Sequence, residues 1–179
     1  MSRSNTGADP DSDFVIELSN TQSSVEVDRD WLIALVTRTL QSERIPRAEI
    51  SVALVNDPAI HERNRLHLGH DYPTDVITFP LSEPGTGMLA GDILVSAETA
   101  ARVAAERGHH PLEELALYVI HGILHLCGYD DHQEPDIQRM RRRESELLAQ
   151  VGIGGSAEGS LQPRPDSVRE RGGQAPVSW

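Results

Sequence analysis

The sequence predicts a single layered α+β domain, with a mixed sheet of about four strands packed against four to five helices. Three observations carry this. Four β-rich or alternating runs, at 13–19, 50–55, 76–81 and 89–95, have the length of strands. Around them, apolar residues recur at helical spacing in four or five further stretches. The chain has 179 residues, enough for one core, and its 38% apolar content is diluted mainly by its two ends. Positions 1–12 are polar and are expected to form a disordered tail. Positions 151–179, rich in Gly, Pro, Ser and Arg, are expected to be a low-complexity tail beyond a 13–150 domain.

In chain order, Phe14, Ile16 and Leu18 alternate with Val15 and Glu17 as the first strand, and 20–24 is a turn. Asp28 caps a helix through Trp31, Leu32, Leu35, Val36, Thr39 and Leu40, which Pro46 is expected to end. Ile50, Val52, Leu54 and Val55 make the second strand. A short arginine-rich helix over 57–66 follows, capped by Asp57 with Pro58 in its first turn. Residues 67–75, including His70 and Asp75, have little periodicity and read as a loop.

The runs 76–81 and 89–95, separated by Pro84, Gly85 and Gly87, are expected to pair as a hairpin. Ser96 caps a helix over 97–108 that Gly108 ends. His110 and Pro111 open the next helix, with Glu113 and Glu114 favourably placed in its first turn. Its buried stripe is expected at Leu117, Ile120 and Leu124, with His121 and His125 beside it. A last helix, 134–149, carries Ile137, Met140, Leu147 and Leu148 on one side and a basic patch of Arg139 and Arg141–Arg143.

Charge and composition narrow the function. The formal charge is -12, and all 16 basic residues are arginine. Such a chain is not a general nucleic-acid binder by bulk charge. If RNA is its substrate, local arginines or a metal must do the attracting. The single cysteine, Cys127, excludes an internal disulfide. There is no signal-type apolar run and no stretch of 18 apolar residues, so no membrane association is expected and a soluble, reducing, cytoplasmic setting is the default.

The most specific stretch is His121-Gly-Ile-Leu-His125-Leu-Cys127-Gly128-Tyr129-Asp130-Asp131-His132. Histidines four apart share one helix face and can hold one ion. Gly128 can stop the helix so that Asp131 or His132 returns as a third ligand, leaving a fourth position for water. Two candidates stand for that ligand. In long zincin motifs it follows the first histidine by ten residues, on Asp131; His132, one further on, offers the imidazole that suits zinc and is the expected ligand. The unused one, or Asp130, would orient the site from behind. Cys127 is expected to pack in the core. Gly122 stands where zinc proteases carry their glutamate base, so an ordinary peptidase mechanism lacks its general base and a nuclease is the better fit. Asp75 has two equal readings, a carboxylate aimed into the site or a cap on the turn before the strand.

On these residues the chain resembles the YbeY family of bacterial rRNA maturation factors and endoribonucleases. The family signature is His-Gly-x-Leu-His-Leu-x-Gly-Tyr-Asp-His. Pro73-Thr-Asp75-Val-Ile-Thr-Phe79 is similar to the family's Pro-Thr-Asp-Val-Leu-Ser-Phe block, and Gly91-Asp-Ile-Leu-Val-Ser96-Ala-Glu98 to its Gly-Asp-Ile-x-Ile-Ser-x-Glu block. The resemblance covers about 13–150. It implies a zincin-like fold and one zinc ion per chain held by His121, His125 and, allowing one extra residue, His132; strict register puts Asp131 there. It implies a single-strand-specific endoribonuclease acting in 16S rRNA 3′-end maturation and ribosome quality control, with rRNA and the small ribosomal subunit as partners and no DNA. The family's Arg-x-Lys pair before the Pro-Thr-Asp block falls here on Leu68 and His70. His70, Asp75 and Asp131 are thus the expected catalytic groups, and Arg63, Arg65, Arg139 and Arg142 the expected RNA contacts. Two rival readings are another metal hydrolase, such as a peptidase, and a non-catalytic RNA-binding assembly factor with a structural metal.

Overall fold

The computed structural model describes residues 13–68, 74–83 and 86–153. The expected tail at 1–12, residues 154–179 of the tail expected at 151–179, and His70 lie outside the described residues. The elements are β1 (Asp13–Asn20), α1 (Arg29–Ser42), β2 (Arg47–Val55), α2 (Asp57–Leu68), β3 (Val76–Pro80), β4 (Leu89–Ser96), α3 (Ala97–Arg107), α4 (Pro111–Leu126) and α5 (Glu134–Gln150). The strands form one mixed sheet in the order β1-β2-β4-β3. β1, β2 and β4 run parallel, and β3 closes the edge antiparallel to β4 as the expected hairpin, with Thr78 opposite Ile93. Among the described residues, the α+β class, the four strands and the five helices match the sequence expectation. Among the described residues no helix is long and apolar enough to cross a membrane.

Several helix ends differ in detail from the expectation. Asp28 caps α1 as expected, accepting from the Trp31 amide at 2.8 Å. Pro46 does not end that helix. The chain turns earlier, at Arg44 with φ 56, and the Ile45 amide reaches back to the Leu40 carbonyl at 3.0 Å. Asp57 does not cap α2 either. Asn56 takes that place, its Oδ1 accepting from the Ala59 amide at 3.0 Å. Asp57 instead accepts from the hydroxyls of Ser96 and Thr99, and its amide donates to Glu98 Oε2 at 2.7 Å. The starts of α2 and α3 are thereby stapled together, each helix end meeting an acidic side chain that suits its dipole. Ser96 caps α3 and Gly108 ends it at φ 71, both as expected.

The core lies between the sheet and the helices on one of its faces. Leu35, Val36 and Leu40 of α1 meet Ile50, Val52 and Leu54 of β2, Ile93 and Val95 of β4, and Val119, Ile120 and Ile123 of α4. The stripe on α4 is wider than expected. Ile120 and Leu124 are fully buried and Leu117 only partly so, while ten residues from Glu114 to Leu124 are buried. The reason is position: α4 lies against β3 and β4 and is flanked by α1, α3 and α5. Val151 and Ile153, assigned to the tail from sequence, pack against this core.

Two glycines let α4 lie close on the sheet. A Cβ at Gly122 would stand 2.7 Å from Ile93 Cγ2 and 3.2 Å from Thr78 Cγ2, and one at Gly91 would stand 2.6 Å from Leu126. Thr78 and Ile93 therefore point toward α4. Phe79, the next residue, points the other way, where its ring meets that of His67 of α2 edge-on at 5.6 Å. So α2 crosses the opposite face of the sheet from α4.

Candidate metal centre

The last turns of α4 present His121 and His125 on one face, one turn apart. The helix then stops as expected. Gly128 takes φ 93, a conformation that disfavours a side chain, and the Tyr129 amide closes back on the Leu124 carbonyl at 3.0 Å. This tight return carries Asp131 over the two imidazoles. Nε2 of His121 and Nε2 of His125 are 2.9 Å apart, and Asp131 Oδ2 lies 3.7 Å from the first and 3.6 Å from the second. The three residues form one of two groupings of metal-ligating side chains among the described residues; the other is Asp130, Asp131 and His132, which shares Asp131 and is more exposed.

The hydrogen bonds behind the imidazoles decide what faces forward. His125 Nδ1 is 3.1 Å from the Tyr129 carbonyl oxygen, which can only accept, so the ring hydrogen sits on Nδ1 and Nε2 offers its lone pair. His121 Nδ1 is 2.6 Å from Glu144 Oε1. With the Nδ1 hydrogen donated to that carboxylate, His121 also offers Nε2. Two nitrogen lone pairs and a carboxylate oxygen then converge, an arrangement that suits a cation. A triangle with edges of 2.9, 3.6 and 3.7 Å has its three corners about 2.0 Å from a common centre, the length of a zinc–nitrogen bond. The donor set therefore fits a borderline metal ion of this size.

The electrostatics agree. The His125 imidazole beside Asp131 holds its carboxyl down at about 2 against the opposing effect of burial, with His121 adding to the pull. Asp131 is thus a carboxylate wherever this protein works. Burial, followed by the nearby Glu43 charge, pushes the Cys127 thiol up to about 12, and Cys127 belongs to neither grouping of metal-ligating side chains among the described residues, so it is a packed thiol.

The remaining expected residues are placed as follows. His132 is not grouped with the two imidazoles but with Asp130 and Asp131. Its side chain is 65% exposed, and its Nδ1 and backbone amide bond Asp130, whose carboxyl that contact lowers. The structure gathers Asp131 with His121 and His125, and not the expected His132. The physical reason is the turn at Gly128, which brings Asp131 Oδ2 within 3.7 Å of both imidazoles while the His132 ring is engaged by Asp130. Asp75 Oδ1 accepts from the Val76 amide at 2.9 Å and the Thr74 hydroxyl at 3.2 Å, the turn-capping arrangement. Arg63 and Arg65 are exposed on α2, across the sheet from α4. Arg139 is exposed, pairs with Asp136 at 2.9 Å and lies over the Tyr129 ring at 5.8 Å. Arg142 is exposed. Arg143 leaves the basic patch, bonding Glu43, Glu146 and the Ser42 carbonyl. Sequence reasoning missed Glu144. Its only signal was helical phase, four residues after Met140 on the buried side of α5, and a glutamate there reads as one more surface charge.

A family model described as endoribonuclease YbeY matches residues 17–152. An endoribonuclease YbeY of Carboxydothermus hydrogenoformans is 35% identical over 140 residues, covering 76% of this chain and 97% of its own. One of Moorella thermoacetica is 38% identical over 151 residues, covering 76% and 96%. One of an Anaeromyxobacter species is 48% identical over 111 residues, covering 62% and 58%. The solution structure of a Thermotoga maritima protein, 25% identical, superposes with a TM-score of 0.55 over 83% of this chain and 100% of its own. With a family match over residues 17–152, and His121 and His125 of the signature grouped with Asp131, this chain belongs to the endoribonuclease YbeY family.

Proposed function

We propose that this chain is a zinc-dependent endoribonuclease that cuts single-stranded RNA in the maturation of the 16S rRNA 3′ end and in ribosome quality control. Its one zinc ion would be held by His121, His125 and Asp131. The observation that carries the reading is the convergence of two Nε2 atoms and Asp131 Oδ2 on one point, in a chain of this family. The setting is the cytoplasm, and the partners are rRNA and the small ribosomal subunit.

A zinc ion bound there would supply Lewis acidity toward a phosphoryl oxygen and make a water acidic. The protein's own part begins with the three ligands, which leave one side open toward solvent because Asp131 is only partly buried. A glutamate base is not available from position 122. The site for its side chain is taken by Ile93 and Thr78, so the absence of a base there is enforced by packing and not by composition alone. This disfavours the peptidase reading. The proton acceptor must then be another residue, and we assign the role to His70. Asp75, whose carboxylate accepts from the Val76 amide at the start of β3, would act beside it as a positioning group. The exposed guanidinium of Arg142 and that of Arg139, with Arg63 and Arg65 as more distant steering groups, would contact phosphate, for which arginine is suited. Local contacts of this kind are required, because a chain of formal charge -12 repels RNA overall.

The test is cleavage of a single-stranded RNA by the zinc-loaded protein, beside the same strand with a 2′-deoxy residue at the cut. Cleavage of the first alone, with a 2′,3′-cyclic phosphate product, assigns internal attack by the 2′-hydroxyl. Cleavage of both assigns hydrolysis by water. Zinc bound at one per chain with neither strand cut, and ribosome association intact, refutes the enzyme and leaves an assembly factor with a structural metal.

A further inference from the structure

Adjacent residues of α5 stand behind both imidazoles of the metal centre. Glu144 is 5% exposed, and its Oε1 meets His121 Nδ1 at 2.6 Å. Burying a carboxylate is costly unless it is hydrogen-bonded, so this residue is not a passive part of a solvated face. A carboxylate that accepts the Nδ1 hydrogen of a ligating histidine fixes its tautomer, fixes the ring's rotation and makes Nε2 more basic.

The brace on His125 runs through more links. Its Nδ1 donates to the Tyr129 carbonyl at 3.1 Å. Tyr129 is held in turn by its hydroxyl, which donates to Glu43 Oε2 at 3.1 Å. The other oxygen of Glu43 accepts from Arg143 Nε at 2.6 Å, and a second nitrogen of Arg143 donates to the Ser42 carbonyl at 3.1 Å. The Glu43 side of the Arg143 pair is 9% exposed, so the bridge is sheltered from water and salt. One carboxylate thus ties the end of α1, the turn after α4 and the middle of α5 together, and the tied turn is the one that also delivers Asp131.

We propose that Glu144, and Arg143 acting through Glu43 and Tyr129, are positioning residues that hold His121 and His125 with Nε2 toward the metal. The consequence for metal binding rests on the metal reading above; the consequence for the imidazole tautomers does not. Arg143 is accordingly withdrawn from any direct contact with RNA, although it sits in the run of arginines that suggests one.

The experiment takes the full chain and its Glu144→Gln, Glu144→Leu and Arg143→Met variants. Zinc is titrated in competition with a chromogenic chelator, and the imidazole 15N shifts of the metal-free proteins are recorded. The expected result is that Glu144→Gln and Arg143→Met each weaken zinc by about 10–100-fold. In the wild type both histidines carry hydrogen on Nδ1. Glu144→Leu changes the His121 signature, and Arg143→Met mixes the tautomers of His125. If the wild type binds zinc and the variants bind it as tightly, with unchanged 15N shifts and only a lower melting temperature, the roles are structural and the proposal is overturned. If the wild type binds no zinc, the metal reading fails. The 15N spectra then decide alone: His121 lacking hydrogen on Nδ1, or unaltered by Glu144→Leu, overturns the positioning role, and the expected signatures uphold it.

Discussion

Substituting Gly122 by alanine sets two effects of opposite sign against each other. In an isolated helix the change is favourable, by about 1 kcal/mol of helix propensity. In this protein the new Cβ would stand 2.7 Å from Ile93 Cγ2, 3.2 Å from Thr78 Cγ2 and 3.4 Å from Ile93 Cδ1. Ordinary carbon contacts are about 3.5–4.0 Å, so the first neighbour has to move by roughly 1 Å. Ile93 is fully buried, and protein interiors are packed densely enough that such a shift displaces further neighbours. Relief then comes from α4 lifting off β3 and β4, or from an off-rotamer Ile93. Overpacking of this kind costs about 1–3 kcal/mol. We expect the steric cost to exceed the propensity gain, leaving a net destabilisation of about 1 kcal/mol. The assay is urea denaturation of the metal-free protein, kept metal-free so that ligand linkage does not mask the difference. The double variant Gly122→Ala/Ile93→Ala supplies the control. There the added methyl group enters the space vacated by the isoleucine, and the two changes should couple favourably by about 1 kcal/mol. A Gly122→Ala protein as stable as the wild type, or two substitutions that simply add, would refute the account of why position 122 is glycine.

Further outcomes follow from the same geometry. Asp131→Ala is expected to lose zinc, as His121→Ala and His125→Ala do, while His132→Ala keeps it; metal content by mass spectrometry reads this, and loss with His132→Ala but not Asp131→Ala would reverse the ligand assignment. Cys127 should resist a thiol reagent at mildly alkaline pH in the native protein and react at once in denaturant, because burial keeps its thiol protonated up to about 12. For Asp131 the folded carboxyl lies at about 2, below its ordinary value of 3.8. The unfolded chain therefore binds the proton more readily, and the stability this group contributes is present above that ordinary value and lost as the pH falls toward 2. The metal-free Asp131→Asn protein should lack that part of the acid loss in a denaturation series. Asp57→Ala should destabilise by about 1–3 kcal/mol, since it strips acceptors from the hydroxyls of Ser96 and Thr99, and thermal melting measures it.

Zinc itself should raise stability through mass action, by about 2.7 kcal/mol when present at a hundred times its dissociation constant. A chelator should then lower the melting temperature of the wild type and leave that of Asp131→Ala unchanged.

Much of this molecule was written in local patterns. Alternation marked the strands, and helical spacing with Asp28, Ser96, Gly108 and Pro111 marked the helices and their ends, because caps and glycine turns act through neighbours a few residues away. The two histidines were legible for the same reason: a spacing of four on a helix is a distance in space. Where the expectation went astray, a residue was answering to something far along the chain. Asp57 looked like a cap and instead holds Ser96 and Thr99, some forty residues on. Arg143 looked like a surface cation and instead bonds Glu43, a hundred residues back.

The sequence by itself determined the family, the α+β class, the helix that carries the two candidate ligand histidines and the turn that follows it. Each of these depends on residue types at short spacing. Only the tertiary structure decided which of two neighbouring residues is grouped with the imidazoles, since that depends on where a tight turn carries each side chain and on which partner holds it. Only it showed that Gly122 is closed off by Ile93 and Thr78, and that Glu144, from a different helix, stands behind His121. Those facts depend on where packing brings separate elements together, and no periodicity along the chain encodes that distance.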